Sequence, residues 1–268
     1  GAAYDSGALS NRNLIINGAM QVFQRGTSFS ASSAAYNADR WSVDNNGGGG
    51  GRSTDAPDDF TYSLKVDPAS GSSVIRQAIE LPAAGEGGVF RSGQKFTLSF
   101  YIKSDNAGEA INIFVASGTN VNATTTAQVN DTSTGLTTTT SWTRYTYISS
   151  PSGDTYWTGL QLELGTEATP FEHRLIADEL ARCQRYFYND SSSSHGPFAC
   201  QYVDSHRFMH RFHPVEMRAT PTSTVTYGGG TSGTEYNSSS LHFKSYLAAQ
   251  YDATSQHYIE TYQADAEL

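Results

Sequence analysis

Apolar residues recur at period two through the first 165 residues, in short runs separated by turn-rich gaps, which predicts antiparallel strands. FTYSLKV puts Phe60, Tyr62, Leu64 and Val66 on one face. TLSFYIK does the same with Leu98, Phe100 and Ile102, and INIFV with Ile111, Ile113 and Val115. SWTRYTYI follows a Thr-rich stretch, and YWTGLQLEL turns Leu160, Leu162 and Leu164 inward. The gaps NNGGGGGRSTDAPDD, PASGSS, PAAGEGG and NDTSTG read as loops by composition. Many short strands with no helix between them predict a sandwich or barrel, and a mainly β, antiparallel jelly-roll sandwich over residues 1–172 is the economical expectation.

The period changes after GTEATPFEHR. From Leu175 to Tyr188 the text LIADELARCQRYFY predicts the chain's one convincing helix, the core of a connecting segment over 173–190. Ile176, Leu180, Cys183 and Phe187 form an apolar stripe at spacings of four, three and four, and Asp178 and Arg182 are placed for an i,i+4 pair. Such a stripe either lies on the sandwich or meets two further copies of itself at an oligomer axis. GPFACQYV, SHRFMHRFH, TSTVTY, SLHFKSYLAA and QHYIETYQ then predict a smaller β domain over 191–268. A domain of that size is marginal alone and better supported among copies of itself.

The stretch NLIINGAMQVFQRGTSFSASSAAYNADRW, Asn13 to Trp41, contains no chemistry and reads as architecture. Leu14, Ile15 and Ile16 fit an early strand, Asn17-Gly18 a tight turn, and Gln21 to Gln24 a second extended run. Trp41 is expected to cap the core, with Asp39 and Arg40 in a fixed polar contact beside it.

Composition narrows the classes. Hydrophobic content of 37% with 12% aromatics supports a core, while 16% charged residues is well below the roughly 25% of ordinary domains. The formal net charge of −9 argues against nucleic acid and against electrostatic binding to anionic membranes. No apolar run approaches the roughly 20 residues of a membrane span, and GAAYDSGALS shows no initiator Met, basic region or apolar core of a signal peptide. Cys183 and Cys200 make no disulfide framework in a chain this long; they read as reduced and half-buried, with pairing left open.

Sugar binding uses exposed aromatics to stack on pyranose faces and amides or carboxylates to meet hydroxyls. With Leu160, Leu162 and Leu164 inside, Trp157, Gln161 and Glu163 share the outer face. The same parity turns Tyr101 and Lys103 outward from Leu98 and Ile102, and Asn112 and Phe114 away from Ile113. Tyr101, Asn112, Phe114, Trp157, Gln161 and Glu163 are therefore the candidate glycan-binding face, unless a neighbouring subunit or the C-terminal region covers it. His206 and His210 of SHRFMHRFH fall about 13 Å apart at roughly 3.3 Å per residue, too far to share a metal within one chain. Asp55, Asp58, Asp59, Glu80 and Glu163 supply carboxylates, but no nucleophile or phosphate-loop motif accompanies them. No enzyme activity, cofactor or metal is expected, with the oxygen-rich DAPDD loop the place to look for calcium.

In order along the chain, NLIINGAMQVFQRG…ADRW, SGQKFTLSFYIKS, SWTRYTY, QLELGTEATPFEHR…CQRYFY and MRATPT…ADAEL resemble a family of tailed-phage tail-fibre and virion appendage proteins, well represented among cyanophages and marine phages. The N-terminal part also resembles jelly-roll carbohydrate-binding modules, which often open with an Asn-Leu-x-x-Asn-Gly strand. The resemblance implies a homotrimeric, non-enzymatic virion protein that binds host surface polysaccharide and other virion proteins, or a purely structural appendage or capsid decoration protein. It implies a location on the virion after synthesis in the host cytoplasm. Ile176, Leu180, Cys183 and Phe187 are the expected oligomer interface.

Overall fold

The computed structural model describes residues 11–30, 35–71, 73–80, 96–108, 113–116, 128–131, 141, 143–145, 155–190, 199–203, 206–228, 233–247 and 258–267. The chain is mainly β, with antiparallel sheets, one helix among the described residues and a smaller C-terminal β unit. It divides into two compact units, Gly1–Glu179 and Leu180–Glu267.

The strands of the first unit are, in chain order, Ser28–Ser30 (β1), Ala35–Tyr36 (β2), Ser42–Asp44 (β3), Gly49–Ser53 (β4), Ser63–Asp67 (β5) and Val74–Arg76 (β6). Phe96–Ser104 (β7), Ile113–Ala116 (β8), Gln128–Asp131 (β9), Thr143–Tyr145 (β10) and Thr155–Leu164 (β11) follow. A six-stranded sheet has the order β1-β4-β5-β11-β7-β10, and β2-β3-β6 form a second sheet. One core is shared by both. Leu64 and Val66 of β5, Phe100 and Ile102 of β7, and Trp157 and Leu160 of β11 pack with Trp41 and with Val43 of β3. Apolar residues from two sheets meeting in one cluster define a β-sandwich.

Period two is obeyed where strands are regular: Leu64 and Val66 point inward while Lys65 is half-buried, and Phe100 and Ile102 alternate with Tyr101 and Lys103. Two expectations fail locally. Phe60 and Tyr62 do not extend β5, because the Phe60 amide turns back to the Pro57 carbonyl at 2.8 Å and the strand starts only at Ser63. The glycine-rich stretch expected to be a loop is instead β4, paired with both β1 and β5. It pairs because glycine leaves room: a Cβ on Gly50 would lie 2.5 Å from Phe29 Cζ and 2.3 Å from the Lys65 carbonyl oxygen.

The opening stretch closes this sandwich, without forming a regular strand at Leu14–Ile16. Asn17, at φ 56°, begins a turn closed by the Met20 amide on the Asn17 carbonyl at 3.2 Å. Its fully buried side chain donates to the carbonyls of Val22 (2.9 Å) and Asp39 (3.0 Å) and accepts from the amides of Gln21 (2.9 Å) and Val22 (3.0 Å). Trp41 lies in the core and its indole donates to the Asn17 carbonyl at 3.1 Å. Beside it, Asp39 accepts from the amide of Gln24 at 2.8 Å and from its side chain, and Arg40 donates to the Ala78 carbonyl. Burial pushes the Asp39 carboxyl above its ordinary range, against the pull of these bonds and of Arg25 and Arg40.

The helix (α1) runs from Ile176 to Gln184, and the unit boundary falls inside it. It is shorter than the periodicity suggests. The Tyr186 amide bonds to the Cys183 carbonyl at 2.9 Å, closing the helix, and Phe187–Asp190 (β12) is already a strand. Ala199–Val203 (β13), His206–Phe212 (β14), Thr222–Gly228 (β15), Gly233–Ser238 (β16), His242–Leu247 (β17) and Tyr258–Asp265 (β18) complete the second unit. Its sheets have the orders β12-β18-β15 and β13-β14-β17-β16, and both supply its core of Tyr188, Met217, Phe243, Tyr262, Ala264 and Ala266. Within that core His213 Nδ1 donates to the Ser240 carbonyl at 3.1 Å, which leaves Nε2 to accept from the Tyr262 hydroxyl at 2.8 Å. Desolvation holds His213 below the usual imidazole range, with His242 and Arg211 adding to that and the Ser240 carbonyl opposing it.

Candidate functional site

The outer face of the six-stranded sheet is decided by one residue of β11. Register against β7 shifts between Thr158 and Gln161, and Gly159 sits in that bulge at φ 63°. Because one extra residue is inserted, Trp157 and Leu160 both point into the core although three positions apart. Trp157 is 3% exposed, with its ring 5.7 Å from that of Phe100. The expected place of Trp157 on the outer face is thus corrected. Leu160 and Leu162 pack inward as expected, whereas Leu164 at the strand end is exposed.

Gln161 and Glu163 do lie opposite Leu160 and Leu162, but at 0% and 3% exposure they are not open to a ligand. The chain's own residues 169–174 cover them. The Gln161 amide group donates to Glu163 and accepts from the Glu172 amide at 2.8 Å. Glu163 accepts from the Thr169 amide at 2.7 Å and its hydroxyl at 2.8 Å. Glu172 in turn accepts from the amides of Asn11 and Asn13, the latter at 2.9 Å. Arg174 donates to the carbonyls of Asn13 and Ile15 and pairs with Glu172 at 3.3 Å and Glu179 at 3.4 Å. Asn13 completes the latch, donating to the Leu160 carbonyl at 3.1 Å and accepting from the Leu162 amide at 3.1 Å. The motif from Gln161 to Arg174 is therefore a buried polar latch that fastens residues 11–17 beside β11.

What remains on the outer face is aromatic. The Phe60 ring centroid lies 5.4 Å from that of Tyr101, 5.1 Å from Phe171 and 5.1 Å from His173, and Phe171 and His173 are 4.9 Å apart. His173 is exposed and the other three are half-buried. All pairs are tilted or edge-on, the arrangement favoured by ring quadrupoles. Gly159 forms the floor: a Cβ there would come within 2.7 Å of Phe60 Cζ and of Tyr101 Cδ2. Beyond it, Lys65 and Lys103 both lie over the Tyr156 ring, at 5.7 Å and 5.3 Å, and Lys103 is paired with Asp55. That pairing, by hydrogen bond and charge, raises the Lys103 ammonium above its ordinary range against partial desolvation.

Of Tyr101, Trp157, Gln161 and Glu163, then, Tyr101 alone is both outward and partly accessible. Phe114 belongs to β8, which pairs with β9 in a separate two-stranded sheet rather than beside β7 or β11. Asn112 lies outside the described residues. Phe60, Phe171 and His173 were missed because the turn at Pro57 and the segment after β11 bring them over from loops. An isolated Gly within the YWTGLQLEL pattern was the available signal for a bulge.

The oligomer stripe is also divided. Ile176 is 54% exposed and Leu180 half-buried, but Cys183 is fully buried and Phe187 is a buried residue of β12 rather than of a helix. The expectation of one four-residue helical seam is corrected to an exposed beginning, where Leu175 is 75% exposed beside Ile176. Among the described residues, no three His, Cys, Asp or Glu side chains converge as a metal site, and no helix is long and apolar enough to cross a membrane.

No family model matches the chain, and no curated protein matches it. Among solved structures, discoidin II of Dictyostelium discoideum aligns over 79% of this chain and 84% of its own at 12% identity. Its TM-score is 0.17, at which the likeness carries no argument about fold or ligand.

Proposed function

We propose that this protein is a non-enzymatic appendage of a tailed-phage virion, a homotrimeric tail-fibre or receptor-binding protein whose first unit holds host-surface glycan. The observation that carries the reading is the four-ring cluster Phe60, Tyr101, Phe171 and His173, partly open on the outer face of β7 and β11. Rings packed edge-on to one another leave faces and edges on which a sugar's C–H groups can stack. A homotrimer would multiply a weak contact, and avidity from linked copies can exceed a single affinity by roughly 10² to 10⁴. Other virion proteins are the remaining partners.

A purely structural appendage is the second reading, favoured by the burial of Gln161 and Glu163 in the latch rather than in a ligand site. Capture of the purified protein on permissive host cells separates the two. Loss of capture in Tyr101→Ala and Phe60→Ala, with melting and oligomer mass kept, is the expected result. Capture unchanged in both variants would remove the ring cluster from the reading, and no capture by the unaltered protein would favour the structural role.

A further inference from the structure

One pleat away from the ring cluster, the outer face changes character. Register places Lys65 of β5, Tyr156 of β11 and Lys103 of β7 directly opposite one another across three adjacent strands. The neighbouring row is Thr158 of β11 opposite Tyr101 of β7. Rows two residues apart on one face are separated by about 7 Å, and strands by about 4.8 Å. The two ammonium groups lie at 5.7 Å and 5.3 Å from the same Tyr156 ring, within cation–π range, while their strands flank β11 on either side. Asp55 accepts from Lys103 and is itself on the surface, using one of that ammonium's three donors. In a chain of net charge −9, two lysines thus share one ring beside the aromatic cluster, with Asp55 and Asp105 interacting with Lys103.

We propose that the outer face of the first unit takes an acidic glycan, a pyranose stacking on Phe60, Tyr101, Phe171 and His173 while the carboxylate of a uronic acid meets Lys103 and Lys65. The inference rests on the glycan reading above and adds the charge of the ligand. A uronic acid suits the geometry because its carboxylate is attached directly to a ring carbon. A stacked ring therefore projects it sideways along the sheet, towards the lysine row, and one residue further along a sugar chain it reaches the same row. Lysine supplies a point charge with rotatable donors, which tolerates either placement.

The test is calorimetric titration of the full chain with a galacturonate tetrasaccharide and with its methyl ester, which keeps the ring and removes the charge. The acid form should bind about fivefold more tightly at low salt, as two partly exposed charge contacts allow. That preference should shrink as salt rises past roughly 0.5 M, where the screening length falls to a few ångströms. Lys65→Met with Lys103→Met should bind both forms with the ester's affinity and melt normally, whereas Tyr101→Ala should weaken both. Equal binding of acid and ester would overturn the acidic-ligand inference and leave the glycan reading standing. So would capture of host cells through Tyr101 by a protein that binds neither probe. Failure with both probes and with cells would overturn the two together.

Discussion

Gly159 and Tyr101 fit together so closely that a Cβ on the glycine would lie 2.7 Å from Tyr101 Cδ2. The glycine serves twice, since its φ of 63° also makes the bulge that turns Trp157 into the core. Gly159→Ala is therefore expected to lose about 1–2 kcal/mol to the left-handed backbone alone, and more to displacement of the Phe60 and Tyr101 rings. A fall in melting temperature of at least roughly 3–6 °C is the expected readout. An alanine variant that melts like the unaltered protein would show that the rings yield and that the bulge does not depend on glycine.

Much of the fold was legible because burial follows the strand period. Leu64, Val66, Phe100 and Ile102 needed only alternation, and Trp41 with Asp39 and Arg40 stood where aromatic and polar neighbours suggested. The site was less legible for one reason repeated in three places: period two carries no information across an irregularity. The Gly159 bulge inverted Trp157, the Pro57 turn redirected Phe60, and the helix end at Gln184 moved Phe187 from a helical stripe to a strand. Gln161 and Glu163 had the right parity and still were not accessible, because the segment that covers them comes from beyond the end of their own strand.

The polar latch should be costly to open. Arg174 is 7% exposed at its side chain, holds two backbone carbonyls and faces two carboxylates that are scarcely more exposed. Arg174→Met removes the cation and leaves Glu172 and Glu179 buried without it, for which about 3–5 kcal/mol is the expected loss. Chemical denaturation of the isolated variant measures this, and hydrogen exchange should show the amides of Asn13 and Leu14 released first. A loss below about 1 kcal/mol would place the latch among ordinary surface ion pairs.

Acid should act on the two units with opposite sign through two buried groups. His213 has a lowered folded-state pKa, so the unfolded chain binds more protons below the ordinary value of 6.5. Its contribution is intact above 6.5 and is lost as pH falls from there through the folded value. Asp39 has a raised folded-state pKa, so the folded chain binds more protons above 3.8; stability from this group grows as pH falls through the folded value towards 3.8. Hydrogen exchange at pH 7 and pH 5, after correction for intrinsic rates, should show β17 and β18 losing protection. His213→Asn, which keeps a donor for Ser240, should flatten that loss. Equal loss in the variant would assign the effect to other groups.

The divided apolar stripe makes self-association separable from folding. Ile176 is 54% and Leu175 75% exposed, while Phe187 is 3% exposed inside the chain. If homotrimerisation uses this element, Ile176→Asp should lower the mass in light scattering from trimer towards monomer, and the isolated subunit should keep its strand signal in circular dichroism. Phe187→Asp should instead destabilise the second unit by several kcal/mol, because a carboxylate replaces a buried ring there. Leu180→Asp, at a half-buried position, should do some of each. A protein whose mass stays trimeric in Ile176→Asp would have its seam elsewhere, and a protein monomeric before any substitution would lose the avidity on which weak glycan binding depends.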